Sequence, residues 1–317
     1  MTAEKQEANT AIVIGAGLAG LSLSLGLIQQ GFYVQIVEKS HDFSRTGATF
    51  GLAPNGRKAL DELCPGVAEE MSKLGVTMST GGTMLGWWNV RDVLLDRVLK
   101  EKKKITLHTG WMIQNIDNDD AVVKATFEKR MQDPSSKNKG EIMTLSGCFL
   151  VGADGVNSAV RNMLKLPPPK DTGISVWRSR VKVPEESTGA ANVLRPYLDI
   201  PVAPIFQMHS SVNYALFNWH PKLPRTMAIV INYQVSTPVP TGTSPKSLLE
   251  SKSKDEKELK EVQAILECAD TDGITHPVRM KVVELPEEDS NGWGGIGRIT
   301  LTGDAAHGKL DCTRTSA

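Results

Sequence analysis

Three glycines and one acid near the amino terminus have the types and the spacing that hold a dinucleotide. Residues 15–20 read Gly-Ala-Gly-Leu-Ala-Gly, and the acid Glu38 follows about 20 residues later. In such a turn Gly15 permits the tight bend, Gly17 lets the backbone approach a pyrophosphate, and Gly20 lets a helix pack against a strand. A carboxylate at Glu38 accepts hydrogen bonds from ribose hydroxyls and repels a 2′-phosphate, which favours the ADP moiety of FAD or NAD over that of NADPH. The candidate contacts are Gly15, Ala16, Gly17, Leu18, Ala19, Gly20, Glu38 and its neighbour Lys39.

The elements predicted around this turn are those that a dinucleotide site requires. Residues 11–14 form a continuous apolar run, which predicts a strand buried on both faces of a parallel sheet. A helix is predicted from the turn to Gly31, and a second strand ends at Glu38. The apolar stretch 11–28 is long enough to cross a membrane, but its glycines divide it into strand, turn and helix. The alternative is a simple packing turn with Glu38 on the surface.

Two further aspartates lie in turns that directly follow apolar strands. Asp154 and Gly155 come after the run that ends at 151, and Gly303 and Asp304 come after the short strand 299–302. The buried strand that leads into Gly303 and Asp304 is typical of the approach to a ligand.

Two arginines are further candidates for contact with a ligand. Arg45 and Gly47 lie in a polar, turn-rich loop, where a solvated cation is the alternative for Arg45. Arg91 is predicted in the first turn of an amphipathic helix, and a cation there opposes the helix dipole. A local conflict of this kind sometimes marks a functional residue. The apolar face of that helix is predicted to be Val90, Val93, Leu94 and Val98.

Length and composition narrow the class of protein. The 317 residues are 40% apolar and 23% charged, which suits one large or two moderate globular domains. A formal net charge of +0 argues against a nucleic-acid partner. The four cysteines are scattered and show no metal spacing, and the polar start does not resemble a signal peptide. A cytoplasmic protein without a metal is therefore expected.

Three motifs taken together resemble a known family. GAGLAG with its acid, GADGVNSAVR and RITLTGDAAH are similar, in that order and spacing, to the FAD-dependent aromatic hydroxylase-type flavoprotein monooxygenases of the para-hydroxybenzoate hydroxylase fold. GATFGLAPNGRKALDEL and NVRDVLLDRVL extend the similarity. The resemblance implies an α/β fold, with a Rossmann-like FAD-binding domain that carries a β-meander and an α+β mixed-sheet substrate domain. The expected boundaries are 1–172 for the FAD-binding domain, with 64–90 as a candidate contribution to the substrate domain, 173–289 for the substrate domain, and 290–317 for a return to the first.

The same resemblance implies roles for individual residues. In such proteins the glycine-rich turn and its acid hold the ADP half of FAD. The arginine that matches Arg45 lies near the pyrophosphate, and the one that matches Arg91 also contacts the cofactor. The aspartate that matches Asp154 belongs to a motif linked to both FAD and the pyridine nucleotide. The aspartate that matches Asp304 hydrogen-bonds the ribityl chain.

The implied chemistry is oxygen insertion. NAD(P)H serves as co-substrate and reduces the flavin, and one oxygen of O₂ enters an aromatic, polycyclic or isoprenoid substrate by hydroxylation or epoxidation. The sequence indicates no catalytic side chain. Two alternatives remain: a flavin-binding protein without turnover, and an NAD-dependent dehydrogenase or flavin reductase that shares only the first motif.

The chain departs from the family pattern after Gly308. Residues 309–317, KLDCTRTSA, lack the proline and the G-Q-G-type turn that open a helix facing the flavin in the family. The departure predicts a truncated form that binds FAD weakly and hydroxylates poorly.

Overall fold

The computed structural model describes residues 9–43, 49–77, 81–119, 121–131, 140–186, 188–198, 202–209, 212–218, 225–234, 263–264, 266–268, 278–283 and 295–308. The strands are β1 (Thr10–Ile14), β2 (Tyr33–Glu38), β3 (Thr49–Leu52), β4 (Val76–Thr77), β5 (Thr83–Gly86), β6 (Ile105–Thr109), β7 (Trp111–Asn118), β8 (Val123–Lys129), β9 (Ile142–Gly147), β10 (Phe149–Gly152), β11 (Lys170–Lys182), β12 (Val202–His209), β13 (Val212–Asn218), β14 (Thr226–Gln234), β15 (Val278–Val282) and β16 (Ile299–Leu301). The helices are α1 (Leu18–Gln29), α2 (Pro54–Leu63), α3 (Val67–Ser72), α4 (Trp87–Lys100), α5 (Ala159–Met163), α6 (Gly189–Leu194) and α7 (Asp304–His307).

A parallel sheet brings the three motifs to one edge. Its strand order is β16-β10-β1-β2-β6, and every residue of the central strand β1 is buried, as the apolar run predicts. In the register of these parallel pairs, Ile14 lies beside Val37 and Gly152, and Gly152 lies beside Leu301. Because parallel strands end at the same edge of a sheet, the loops that follow β1, β2, β10 and β16 are neighbours.

Helices and the meander cover opposite faces of this sheet. Val13 of β1 belongs to a cluster with α1 and α4, whereas Ile12 and Ile14 pack with the meander strands β7, β8 and β9. The alternation follows from the two-residue repeat of a strand. The predicted apolar face of α4 is confirmed, since its members are buried in the helical cluster: Val90, Val93, Leu94 and Val98.

The meander leaves its own sheet and enters the parallel sheet at a single residue, which the sequence did not predict. The sequence of residues 142–151 predicts one strand, but β9 ends at Gly147 and β10 begins at Phe149. Between them, Cys148 N–H donates to the Thr10 carbonyl at 2.8 Å. A Cβ on Gly147 would lie 2.5 Å from the same oxygen. The glycine therefore permits the close approach to β1 at which the chain changes sheets.

Helix α4 begins earlier than the sequence pattern suggested. It starts at Trp87, so Arg91 lies in its second turn and not in the first. The prediction of an unfavourable position was wrong, because the effect of the helix dipole falls off within the first turn.

The second large sheet has the order β12-β13-β14-β11-β15. The family resemblance implies a mixed sheet here, whereas the pairs that the structure describes are all antiparallel. The longest strand, β11, pairs with both β14 and β15.

Within the described segments, no helix has the length and apolar character needed to cross a bilayer.

Candidate cofactor-binding site

Two glycines of the first motif are required by backbone packing. Gly15 has a φ of +103°, and a Cβ there would lie 2.5 Å from the Ala153 carbonyl oxygen. A Cβ on Gly20 would overlap the Gly15 carbonyl. Only glycine therefore allows α1 to start this close to β1 and β10, which confirms the packing part of the sequence argument.

Gly17 has a different environment from the other two glycines. An added Cβ at this position would meet no atom within 4 Å. Gly17 is also the N-cap of α1 and provides no side-chain cap, so it does not satisfy the first amide groups of the helix. Leu18 and Ala19 follow in the first turn. The open space lies next to N–H groups and the positive end of the helix dipole, which together favour an anion.

Glu38 supports the turn from the end of β2. Its Oε2 accepts a hydrogen bond from the Ala16 N–H at 2.8 Å, and its Oε1 accepts one from the Ser40 N–H at 2.9 Å. The sequence predicted either a ligand contact or a surface position for Glu38, and neither prediction includes these two backbone partners. Lys39 is exposed.

Asp154 presents one buried oxygen that has no partner. Its Oδ2 accepts hydrogen bonds from the N–H groups of Ala159 and Val160 at 2.7 and 3.3 Å. In the described part of the chain, Oδ1 is buried and accepts no hydrogen bond. Gly155 has a φ of +80°, and a Cβ there would meet no atom within 4 Å. A buried acceptor without a partner is suited to a ligand that donates a hydrogen bond.

The last motif packs against the first. Gly303 follows β16 with a φ of +61°, and a Cβ there would lie 2.7 Å from the Cβ of Ala19 in α1. The strand itself is anchored by the Thr302 N–H, which donates to the Gly152 carbonyl at 2.9 Å. Asp304, the first residue of α7, is exposed at this edge.

A buried arginine ties the second and third motifs together. Arg161, only 1% exposed, donates from Nη1 to the Ala305 carbonyl of α7 at 3.2 Å. Its Nε donates to the Pro167 carbonyl at 2.7 Å. Burial lowers the pKa of this guanidinium from its ordinary value. Arg161 therefore links the segment that follows β10 to the helix that follows β16.

Of the two arginines that the sequence predicts as ligand contacts, only Arg91 lies within the described residues. Arg91 is 4% exposed and lies in α4, where its Nη2 donates to the Phe43 carbonyl at 3.2 Å. Arg45 and Gly47 lie outside the described residues. The structure thus brings Gly15, Gly20, Glu38, Asp154 and Gly303 to one sheet edge, and it ties Arg91 to the segment that follows β2.

These features define an α/β protein with a candidate dinucleotide site at the carboxyl edge of a parallel sheet. The chain belongs to the FAD-binding domain family, which it matches over residues 8–310. The family assigned by resemblance is therefore confirmed, and so is FAD as its cofactor.

Curated relatives cover part of the chain. It is 30% identical over 206 residues to an FAD-dependent monooxygenase of Gibberella moniliformis, a match that covers 56% of this chain and 44% of that protein. It is 28% identical over 191 residues to 6-hydroxynicotinate 3-monooxygenase of Pseudomonas fluorescens, covering 56% and 49%. The chain spans about half the length of these relatives.

Solved structures share the fold. The crystal structure of CtdE in complex with FAD and a substrate has a TM-score of 0.76 at 15% identity, covering 95% of this chain and 75% of that one. Klebsiella pneumoniae HpxO complexed with FAD has a TM-score of 0.67 at 18% identity, covering 94% and 74%. The predicted α/β fold is confirmed.

FAD fits the residues that are present. The open space at Gly17 can receive a pyrophosphate, because a side chain there is absent and the first amides of α1 face no capping group. The unpartnered Oδ1 of Asp154 can accept a hydroxyl donor. Both features suit a ligand that carries a diphosphate and several hydroxyl groups.

Proposed function

We propose that this chain acts as an FAD-dependent monooxygenase, which uses NAD(P)H and O₂ to hydroxylate or epoxidise a small organic substrate. The observation that carries the proposal is the meeting of three distant motifs at one edge of the parallel sheet. The relatives named as monooxygenases support the reaction class. The substrate is proposed to be aromatic, polycyclic or isoprenoid.

The cofactor contacts are proposed from this geometry. The turn from Gly15 to Gly20, with Glu38, holds the ADP half of FAD through backbone amides and ribose hydrogen bonds. Asp154 accepts a hydrogen bond from the cofactor side, and Asp304 extends toward the ribityl chain. Arg91 supplies positive charge to the flavin side. Lys39, Arg45, Gly47, Gly155 and Gly303 complete the proposed set.

The bound flavin supplies hydride acceptance from the nicotinamide and activation of O₂. The described residues bind and orient the cofactor. The N-terminus of α1 neutralises phosphate charge, and the carboxylates of Glu38 and Asp154 select hydroxyl donors. No described side chain is assigned a proton-transfer role.

The domain division and the compartment are proposals as well. Residues 1–172 and 290–317 form the FAD-binding domain and 173–289 the substrate domain, a division supported by the pairing of β16 with β10. We place the protein in the cytoplasm, which the free cysteines Cys64, Cys148 and Cys268 support.

Gly17→Val tests the cofactor site. An added Cβ meets no atom within 4 Å, so the variant should fold as the wild type does, while the larger side chain fills the space of the pyrophosphate. We expect purified Gly17→Val to lack flavin absorption, and its urea midpoint to stay close to that of the wild type when both proteins are free of FAD.

Gly189→Val is the matched control. A Cβ at Gly189 also meets no atom within 4 Å, and the residue lies in α6 between β11 and β12. This variant should keep the wild-type flavin content. A Gly17→Val protein with normal flavin content would show that the assignment is wrong.

Turnover separates the proposed enzyme from the alternatives. Flavin absorption of the reconstituted chain rules out a protein that binds only NAD. Oxygen consumption that depends on NAD(P)H, measured together with hydrogen peroxide, then separates oxygenase or oxidase activity from flavin binding without turnover.

A further inference from the structure

Arg91 is a buried cation, and its burial has to be compensated. It is 4% exposed, and a guanidinium removed from water is costly unless it is paired and hydrogen-bonded. Its Nε and Nη2 donate to the neighbouring Asp92 carboxylate at 3.2 and 2.8 Å. Nη2 also donates to the Phe43 carbonyl. These hydrogen bonds lie in the plane of the guanidinium. Its two flat faces cannot form such bonds and are covered by other side chains.

Two aromatic rings lie close to this guanidinium. The Cζ of Arg91 is 5.4 Å from the centroid of the Phe43 ring and 5.3 Å from that of the Trp87 ring. Both distances are within the range of cation–π attraction. Trp87 is the first residue of α4 and lies four residues before Arg91, so the two side chains share a helix face.

Phe43 comes from a different part of the chain. It follows β2 by a few residues, and its ring packs against the helical core cluster. Phe43 thus contacts Arg91 twice, through its carbonyl oxygen and through its ring. Arg91 therefore holds α4 against the segment that follows β2, which begins after Glu38 at the sheet edge.

We propose that Phe43 and Trp87 are positioning residues, which hold the Arg91 guanidinium in the orientation in which it contacts FAD. The inference rests on the proposed function, because it takes Arg91 as a cofactor contact. A guanidinium confined in advance by two rings loses less conformational freedom when the cofactor binds. Lysine cannot replace it, since an ammonium has no planar face to stack.

The experiment measures FAD affinity of the full 317-residue chain, with urea unfolding of each variant alongside. Trp87→Leu keeps apolar volume and removes the aromatic face, whereas Trp87→Phe keeps a face. Trp87→Leu should weaken FAD binding roughly 2- to 30-fold, the range that corresponds to one cation–π contact. Trp87→Phe should restore most of that loss.

The meander offers a matched control. Lys129 Nζ lies 5.4 Å from the centroid of the Trp111 ring, a cation–π pair outside the proposed site. Trp111→Leu should lower stability slightly and leave FAD affinity unchanged. If Trp87 and Trp111 variants shifted FAD affinity equally, the effect would be a general loss of stability and the inference would fall.

A double-mutant cycle shows whether Trp87 acts through Arg91. In an Arg91→Met background, Trp87→Leu should have no further effect on FAD affinity, because the group that it positions is gone. An additive loss would overturn the inference. If Arg91→Met weakened FAD binding while Trp87→Leu did not, the inference would fall and the proposed site would stand. If Arg91→Met left FAD affinity unchanged, the proposed role of Arg91 would fall with it. Should Arg91→Met not fold, the comparison of Trp87→Leu with Trp87→Phe decides alone.

Discussion

Glu38→Gln keeps the size of the side chain and replaces one of its two acceptor oxygens by an amide NH₂. In the structure each carboxylate oxygen accepts a different backbone N–H, from Ala16 at 2.8 Å and from Ser40 at 2.9 Å. Glutamine can accept only one of these, so its NH₂ must face the other donor. The substitution therefore affects the protein before any cofactor binds.

The magnitude follows from the bonds that are lost. A hydrogen bond to a charged group contributes about 1.5–3 kcal/mol, and the remaining bond loses its charge assistance. We expect Glu38→Gln to lower the free energy of unfolding of the FAD-free chain by about 2–3 kcal/mol. A residue that only binds ribose would leave the FAD-free chain unchanged.

The assay is urea unfolding of the FAD-free protein followed by two probes, with FAD titration of the same preparations. Glu101→Gln is the control, because Glu101 is exposed just after α4, and surface substitutions of this kind usually change stability by less than about 0.5 kcal/mol. A urea midpoint for Glu38→Gln equal to that of the wild type would refute the supporting role of Glu38.

Substitutions at three other residues test separate parts of the site and fold. Asp304→Asn should weaken FAD binding by about 1–3 kcal/mol without changing the urea midpoint, since the side chain is exposed; unchanged affinity in a FAD titration would contradict its proposed contact. Arg161→Met should lower the free energy of unfolding by about 2–4 kcal/mol, because the Pro167 and Ala305 carbonyls lose their donor, and Arg161→Lys should recover part of it; a wild-type urea midpoint would contradict this. Burial lowers the pKa of His108, so the unfolded chain binds more protons near the ordinary pKa and stability should fall as pH drops through about 6.5. His108→Gln should reduce that fall between about pH 7.5 and 5.5, and identical pH dependences would contradict it.

The sequence by itself determined the local elements of the cofactor site. The apolar run of β1, the glycines of the turn and the acid at the end of β2 are consecutive, so their types and spacing predict the strand–turn–helix–strand unit. Resemblance added the loops after β10 and β16, because each carries a short motif of its own. Their meeting at one edge follows from parallel pairing once β16 joins the sheet.

Only the tertiary structure decided which groups contact one another across the chain. Glu38 reaches the Ala16 amide 22 residues away, Arg91 reaches Phe43 over 48, and Arg161 reaches Ala305 over 144. No periodicity records such pairs, because they depend on how the sheet, the helices and the loops pack together. The division of residues 142–151 into two strands has the same origin, since Gly147 and Cys148 change sheets only because β1 lies beside them. Local pattern thus specifies the elements, while close packing between distant segments specifies the partners of Glu38, Arg91 and Arg161.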